Sequence, residues 1–349
     1  MTPPPVAVGA RSLVRELAGG DTVLQGILVR GLDDVERRLY SCVESTGAAF
    51  VTETAGHVVK AGGKRLRPLL TLLGARFGTG AGTGESREPN RVVDAAVAAE
   101  LLHVASLYHD DVVDEAATRH GVESANARWG NSVAVFTGDW LLARAAQVAS
   151  GLGEEAVRLV AETSGRLVEG QLRELVGPGK GESQLLHYFD VTAGKTASLI
   201  AVSLRMGALQ AKAPRQVIHA LEEYGEHLGT AFQISDDILD ITAPQEATGK
   251  EQGKDLASGV ASLPVLLSLC GPGDGGRELQ EILERNDAVR GAQLETTLQI
   301  LQNSSAVVQA RSVMLDRLAR ARLALAAVPR IPAVKVLEAL CDFVAERRE

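Results

Sequence analysis

Apolar residues recur at helical spacing along almost the whole of this chain, and no stretch alternates as a half-buried strand would. Over residues 92–113 the apolar positions Val93, Val97, Leu101, Val104 and Leu107 follow a 3.6-residue period. Comparable patterns run over residues 132–149, 154–175, 195–209, 214–241 and 305–327. Ala and Leu dominate the apolar set, and both favour helices. A chain of 349 residues, 45% hydrophobic, can bury a large core. Breakers separate the patterns: Gly62-Gly63, the Gly/Thr-rich stretch 78–84, Gly177-Pro178-Gly179, Pro244, residues 271–276, and Pro329 and Pro332. None reads as a linker between independent domains. The expectation is one all-α domain of many packed helices over residues 21–349, preceded by a loosely ordered segment over residues 1–20.

Composition narrows the partners. The formal charge is −8 and the basic residues are dispersed, which argues against a nucleic-acid partner. The three cysteines, Cys42, Cys270 and Cys341, lack metal-ligand spacing and suit a reducing, cytoplasmic setting. Pro3, Pro4 and Pro5 do not fit the charged-then-apolar order of a secretory signal. No run of 18 or more apolar residues stands out, so no membrane span is expected.

Within this apolar, helical background, two acidic triplets share one spacing. One is Asp110-Asp111-Val112-Val113-Asp114 and the other Asp236-Asp237-Ile238-Leu239-Asp240. On a helix, positions i and i+4 lie about 40° apart around the axis and i+1 about 100° away, so each triplet makes one compact acidic patch. Such a patch repels itself unless a cation neutralises it. Hard oxygen ligands with no nearby Cys indicate Mg²⁺, with Mn²⁺ as the other candidate, more than one ion in all. Mg²⁺ takes few carboxylates and keeps open positions for phosphate oxygens, so two facing patches predict a diphosphate substrate. Along the first helix, His103 falls within about 20° of the Asp110 face, and Ser106 lies one turn from Asp110. Along the second, Gln233, Asp236 and Asp240 form another stripe, with Asp237 beside it. A third constellation is Gly62-Gly63-Lys64-Arg65-Leu66-Arg67-Pro68, a glycine turn followed by three cations and a proline suited to a helix start. Cations at a helix N-terminus make an anion site.

Taken in order, these motifs resemble the trans-type isoprenyl diphosphate synthases, the polyprenyl synthetase family that includes the farnesyl and geranylgeranyl diphosphate synthases. The resemblance covers roughly residues 50–270. It rests on the Gly-Gly-Lys-Arg-Leu-Arg-Pro segment, His103 ahead of the first triplet, Gly138-Asp139, Gly194-Lys195-Thr196, Phe232-Gln233 leading into the second triplet, Gly249-Lys250 and Asp255-Leu256. It implies a single helical bundle of the isoprenoid synthase type with a central cavity, homodimeric and cytoplasmic. It implies a Mg²⁺-dependent prenyl transferase that ionises an allylic diphosphate and adds isopentenyl diphosphate.

By that resemblance Lys64, Arg67 and His103 grip isopentenyl diphosphate, with His120 at the position of a usual arginine. Asp110, Asp111, Asp114 and Asp236 hold the metal ions of the allylic diphosphate, and Asp237 and Asp240 complete the second patch directly or through water. Arg119, Lys195, Thr196, Gln233 and Lys250 serve the allylic side, Lys195 also lying near the carbocation. Two departures stand out: Arg119-His120 replaces a pair of arginines, and Val260 stands where a lysine is usual. His120 carries charge only part of the time near neutral pH. Ala105 and Ser106, the small residues five and four positions before the first triplet, imply a deep pocket and a product of twenty carbons or more, most like the long-chain enzymes. Leu101, Leu102 and Trp140 are candidates for a deeper floor, which would give geranylgeranyl diphosphate. The rival readings are a class I terpene cyclase, disfavoured by the second triplet and the basic turn, and a non-catalytic partner subunit, disfavoured by two intact triplets.

Overall fold

The computed structural model describes residues 8–44, 47–78, 89–243, 252–270, 279 and 291–347. The helices are α1 (Val8–Leu17), α2 (Thr22–Val43), α3 (Ala49–Ala61), α4 (Leu66–Ala75), α5 (Pro89–Val113), α6 (Ala125–Trp129), α7 (Asn131–Ser150) and α8 (Glu154–Val176). They continue as α9 (Gln184–Thr192), α10 (Ser198–Gln210), α11 (Arg215–Thr242), α12 (Lys254–Ala257), α13 (Leu263–Cys270), α14 (Ala292–Asn303), α15 (Ala306–Ala324) and α16 (Pro332–Glu346). A π-helical turn, Ala193–Ala197, joins α9 to α10, and a 3₁₀ turn, Leu325–Ala327, follows α15. The fold is all-α, as the periodicity predicts. One detail departs from it: β1 (Thr118–Arg119) and β2 (Val122–Glu123) pair as an antiparallel hairpin. Two-residue strands carry no periodic signal.

The chain divides into two compact units. One comprises residues 1–167, 199–225 and 324–339, the other residues 168–198, 226–323 and 340–349. In the first unit α5 packs against α7, α4 and α2. Residues 95–99, Leu101, Leu102, Val104 and Ala105 of α5 are all buried, so this helix is apolar on every side because protein surrounds it. For that reason Asn90–Val113 passes for a membrane span by length and composition alone, while 72% of its most apolar window is buried inside the structure, as in a core helix. Gly138 of α7 allows the close approach to α5, since a Cβ there would lie 2.4 Å from His109 Nε2. The second unit has its own core of Ile241, Leu256, Val265, Leu279, Leu298 and Leu301.

Within the segment expected to be loose before residue 21, the described part begins with the helix Val8–Leu17. From α1, Ala10, Leu13, Val14 and Leu17 are buried, and so is Ala18 just beyond it. Residues 79–84, Pro244 and residues 271–276, read as breakers, lie outside the described residues. Gly62-Gly63 and Gly177 form loops with positive φ, and Pro332 opens α16 where a missing N–H costs nothing.

Candidate active site

The basic turn lies between α3 and α4, in the first unit. Gly62, Gly63 and Arg65 have φ of 90°, 145° and 49°, so the chain turns through three left-handed positions in four residues. Gly62 and Gly63 take these angles without a Cβ penalty. Pro68 occupies the first turn of α4 rather than its first position. Lys64 is exposed and Arg67 half-buried, but Arg65 turns inward and is buried. Two cations of this turn are therefore left outside the interior, not the three that the sequence suggests. Arg67 Nη1 lies 3.1 Å from His103 Nε2 on α5. A guanidinium only donates, so the ring accepts there, which it does only when neutral. Consistently, enclosure and then the Arg67 cation hold the His103 imidazole well below its ordinary value.

Residues 119–122 close the β1–β2 hairpin on the same side of the basic turn. His120 and Gly121 both have positive φ, 51° and 78°, the geometry of a two-residue hairpin turn. A Cβ on Gly63 would lie 3.3 Å from His120 Cε1, so the imidazole rests against the glycine turn. The structure thus gathers Lys64, Arg67, His103 and His120. Enclosure, followed by the Arg119 charge, lowers the His120 pKa as well.

The first acidic triplet ends α5. Asp110 is half-buried and Asp114 exposed, while Asp111 has no exposed surface. Arg119 grips one oxygen, Asp111 Oδ1, with its Nε at 2.8 Å and its Nη2. The other oxygen, Oδ2, is buried without a hydrogen-bond partner. An orphaned, charged oxygen on a salt-bridged carboxylate is the arrangement a divalent cation would complete. Among the described residues no three His, Cys, Asp or Glu side chains are gathered closely enough to cage a metal.

The second triplet, near the end of α11 in the second unit, is set differently. Asp237 is buried and both its oxygens are engaged. Oδ2 accepts from Tyr188 Oη at 2.7 Å and from the Leu263 N–H at 3.0 Å, and Oδ1 accepts from Gln233 Nε2 at 3.0 Å. Burial outweighs these bonds and pushes its pKa up to about 6. Asp240 accepts from the backbone N–H groups of Lys254 and Asp255, fixing α12, and burial raises its pKa too. Asp255 is pushed up to about 7 by burial, then by the Asp240 and Asp237 charges. Asp236 is the more open member and pairs with Arg347 at 2.7 Å.

Lys195 and Thr196 lie on the π-helical turn, a form enriched at functional positions. Gly170 of α8 permits the close contact there, since a Cβ would lie 2.8 Å from the Lys195 nitrogen. Lys195 Nζ pairs with Glu174 Oε2 at 2.5 Å, and Thr196 Oγ1 donates to Gln233 Oε1 at 2.8 Å. Thr196, Gln233, Asp237 and Tyr188 thus form one hydrogen-bonded chain. Lys250 lies outside the described residues. Ala105 is fully buried and Ser106 half-buried, its hydroxyl donating to the His103 carbonyl. Sequence reasoning missed Arg65 as an interior residue, and also Glu174, Tyr188 and Arg347. Their partners are distant in sequence, so no local pattern marks them.

Comparison with known proteins bears on the family and the fold. The sequence pattern of the polyprenyl synthetase family matches residues 48–301. The nonaprenyl diphosphate synthase of Mycobacterium tuberculosis is 36% identical over 94% of this chain and 96% of that protein. A heptaprenyl diphosphate synthase component 2 from Bacillus subtilis is 33% identical over 91% of this chain and 88% of that protein. The crystal structure of geranylgeranyl pyrophosphate synthase from Corynebacterium glutamicum, complexed with calcium and isoprenyl diphosphate, superposes with a TM-score of 0.82 at 37% identity, covering 94% of this chain and 98% of that one. With its all-α fold, its basic turn and its paired acidic motifs, this chain belongs to the polyprenyl synthetase family and is a prenyltransferase.

Proposed function

We propose that the chain adds isopentenyl diphosphate head-to-tail to an allylic diphosphate, with Mg²⁺ as the working metal and a product of twenty carbons or more. The observation that carries this reading is a chemical asymmetry in the first unit. Asp111 presents an orphaned carboxylate oxygen suited to a metal-bound diphosphate, whereas the cations Lys64 and Arg67, with the imidazoles of His103 and His120 beside them, suit a diphosphate without metal. One reaction with two diphosphate substrates of unequal fate needs both.

Lys64 and Arg67 neutralise and orient isopentenyl diphosphate, and the two imidazoles donate to it when protonated. Asp110, Asp111, Asp114 and Asp236 are the carboxylates that hold the metal, and Asp237 and Asp240 support the second patch. Bound Mg²⁺ supplies charge stabilisation for the departing diphosphate. Arg119 holds Asp111 in place through its hydrogen bonds to Oδ1. Lys195, Thr196, Gln233 and Lys250 serve the allylic substrate, and the Thr196–Gln233–Asp237 chain orients polar oxygens while the apolar surroundings keep water from the carbocation. We assign the chain as one polyprenyl synthase domain acting in the cytoplasm. The solvent-exposed Val135 and Phe136 of α7 support a homodimer, which light scattering after gel filtration measures.

Small side chains at Ala105 and Ser106 support a long product over geranylgeranyl diphosphate. The test is incubation of the purified protein with Mg²⁺, labelled isopentenyl diphosphate and primers of ten, fifteen and twenty carbons, with product length read by chromatography. Elongation beyond twenty carbons is expected, and Ala105→Phe or Ser106→Phe should shorten the product. An unchanged product profile in both variants sinks the pocket assignment. A relative described as a component of a heptaprenyl synthase makes a heteromeric subunit the second reading. A folded protein that elongates no primer decides for it.

A further inference from the structure

The basic turn contains one cation that cannot meet a substrate. Arg65 is 4% exposed, and its partners Glu36 and Glu100 are 5% and 3% exposed. All five N–H donors of the guanidinium have acceptors. Nε and Nη2 reach the two oxygens of Glu36 on α2, Nη1 reaches Glu100 Oε1 on α5 at 2.9 Å, and Nη2 also reaches the Val59 carbonyl on α3 at 2.8 Å. The last contact is Nη1 with the carbonyl of Gly62, within the turn itself. One side chain thereby ties three helices to the residue that precedes α4.

That residue has φ 49°, a left-handed conformation that a non-glycine residue holds at a cost and only when its surroundings over-determine it. No side chain caps α4, so the turn has no local device to hold its shape. The buried ion pairs are the device. Glu100 and His103 lie one helical turn apart on α5, and Arg65 and Arg67 lie two residues apart at the start of α4. Arg65 meets Glu100 in the interior as an ion pair, and Arg67 meets His103 at the substrate cluster as a hydrogen bond. The corner at Arg65 therefore sends Lys64 and Arg67 outward in a set direction.

Resting on the proposed function, we infer that Arg65 is a positioning residue for the isopentenyl diphosphate site, and that its pairing with Glu36 and Glu100 holds the turn in the diphosphate-binding shape before substrate arrives. Supporting groups of this kind are worth about 10–100-fold in affinity when lost. Loss should fall on isopentenyl diphosphate and spare the allylic substrate.

The experiment compares wild type with Glu100→Gln, Glu36→Gln and Arg65→Lys. It measures KM for isopentenyl diphosphate, KM for farnesyl diphosphate, kcat, and calorimetric binding of isopentenyl diphosphate in EDTA. The expected result is a rise of about 10–100-fold in the KM and Kd for isopentenyl diphosphate, with the farnesyl diphosphate KM changed less than about threefold. Arg65→Lys, which keeps the charge and loses the fork, should weaken binding although the net charge is unchanged. Equal rises in both KM values, or a lowered melting temperature with both KM values unchanged, overturn the inference. Glu100→Gln leaves the shape of the side chain in place and decides the matter if Arg65→Lys fails to fold. If wild type itself neither binds isopentenyl diphosphate in EDTA nor elongates a primer, it is the functional reading that has failed.

Discussion

The same five-residue acidic pattern ends α5 and lies near the end of α11, yet the two copies are treated differently by what surrounds them. Asp111 is buried against a permanent cation, Arg119, and one of its oxygens is left without a partner. Asp237, its counterpart by spacing, is buried against a hydroxyl, an amide and a backbone N–H, and both oxygens are taken. A cation brings opposite charge to a buried carboxylate, whereas neutral donors only partly offset the cost of burying the charge. In the proposed function the first motif accepts a metal at its buried member, and the second does so at Asp236, while Asp237 and Asp240 hold structure around it.

The largest expected effect tests that contrast directly. Asp111→Asn should lower kcat by about 10²–10³-fold, the range for removing a preorganised charge-stabilising group. Asp237→Asn, which preserves most of the hydrogen bonding, should cost about tenfold to a hundredfold, with the Mg²⁺ concentration for half-maximal activity little changed. If the two variants raise that concentration equally, the division of labour is wrong.

A smaller effect separates the partners. Arg119→Met leaves Asp111 buried and uncompensated, which should destabilise the protein by about 2–3 kcal/mol, since the pair is partly open to solvent on the Arg119 side. Tyr188→Phe removes one of three donors to Asp237 and should cost about 1 kcal/mol. Urea titration of both variants gives the ranking. A larger loss for Tyr188→Phe than for Arg119→Met contradicts it.

The smallest effects are in pH, and their signs oppose. His103 is harder to protonate in the folded protein than in the unfolded chain, whose value is 6.5. The unfolded state therefore binds more protons as the pH falls through 6.5, and His103 makes stability decline on acidification. Asp237 is easier to protonate when folded, about 6 against 3.8. Its contribution is present below 3.8 and is lost as pH rises through about 6. In metal-free buffer, His103→Gln should flatten the acid decline and Asp237→Asn the loss toward neutrality. Slopes unchanged by either substitution would remove the assigned cause.

Most of the helices were legible because a helix that buries one face repeats its apolar residues every 3.6 positions. The expected pattern over residues 132–149 and the observed α7 (Asn131–Ser150) agree almost to the residue. The hairpin at Thr118–Arg119 and Val122–Glu123 was not legible, since two residues cannot display a period. The α1 helix was not expected, because terminal residues are commonly loose unless tied down, whereas burial of Leu13, Val14 and Leu17 ties this segment to the core.

The site divides in the same way. Spacing alone determined that each triplet is a compact acidic patch and that the turn at Gly62-Gly63 concentrates cations, because these depend on helix geometry and charge within a few residues. Spacing could not determine which charged groups face substrate. Arg65 reads as the equal of Lys64 and Arg67, but Glu36 and Glu100, 29 and 35 residues away in the chain, draw it into the interior. Asp111 and Asp237 read alike, and only the packing of Arg119 on one and Tyr188 on the other separates their roles. Sequence determines the local density of charge. Tertiary structure decides whether each charge meets a cation, a dipole or water, because the cost of burying it depends on partners that the chain brings from far away.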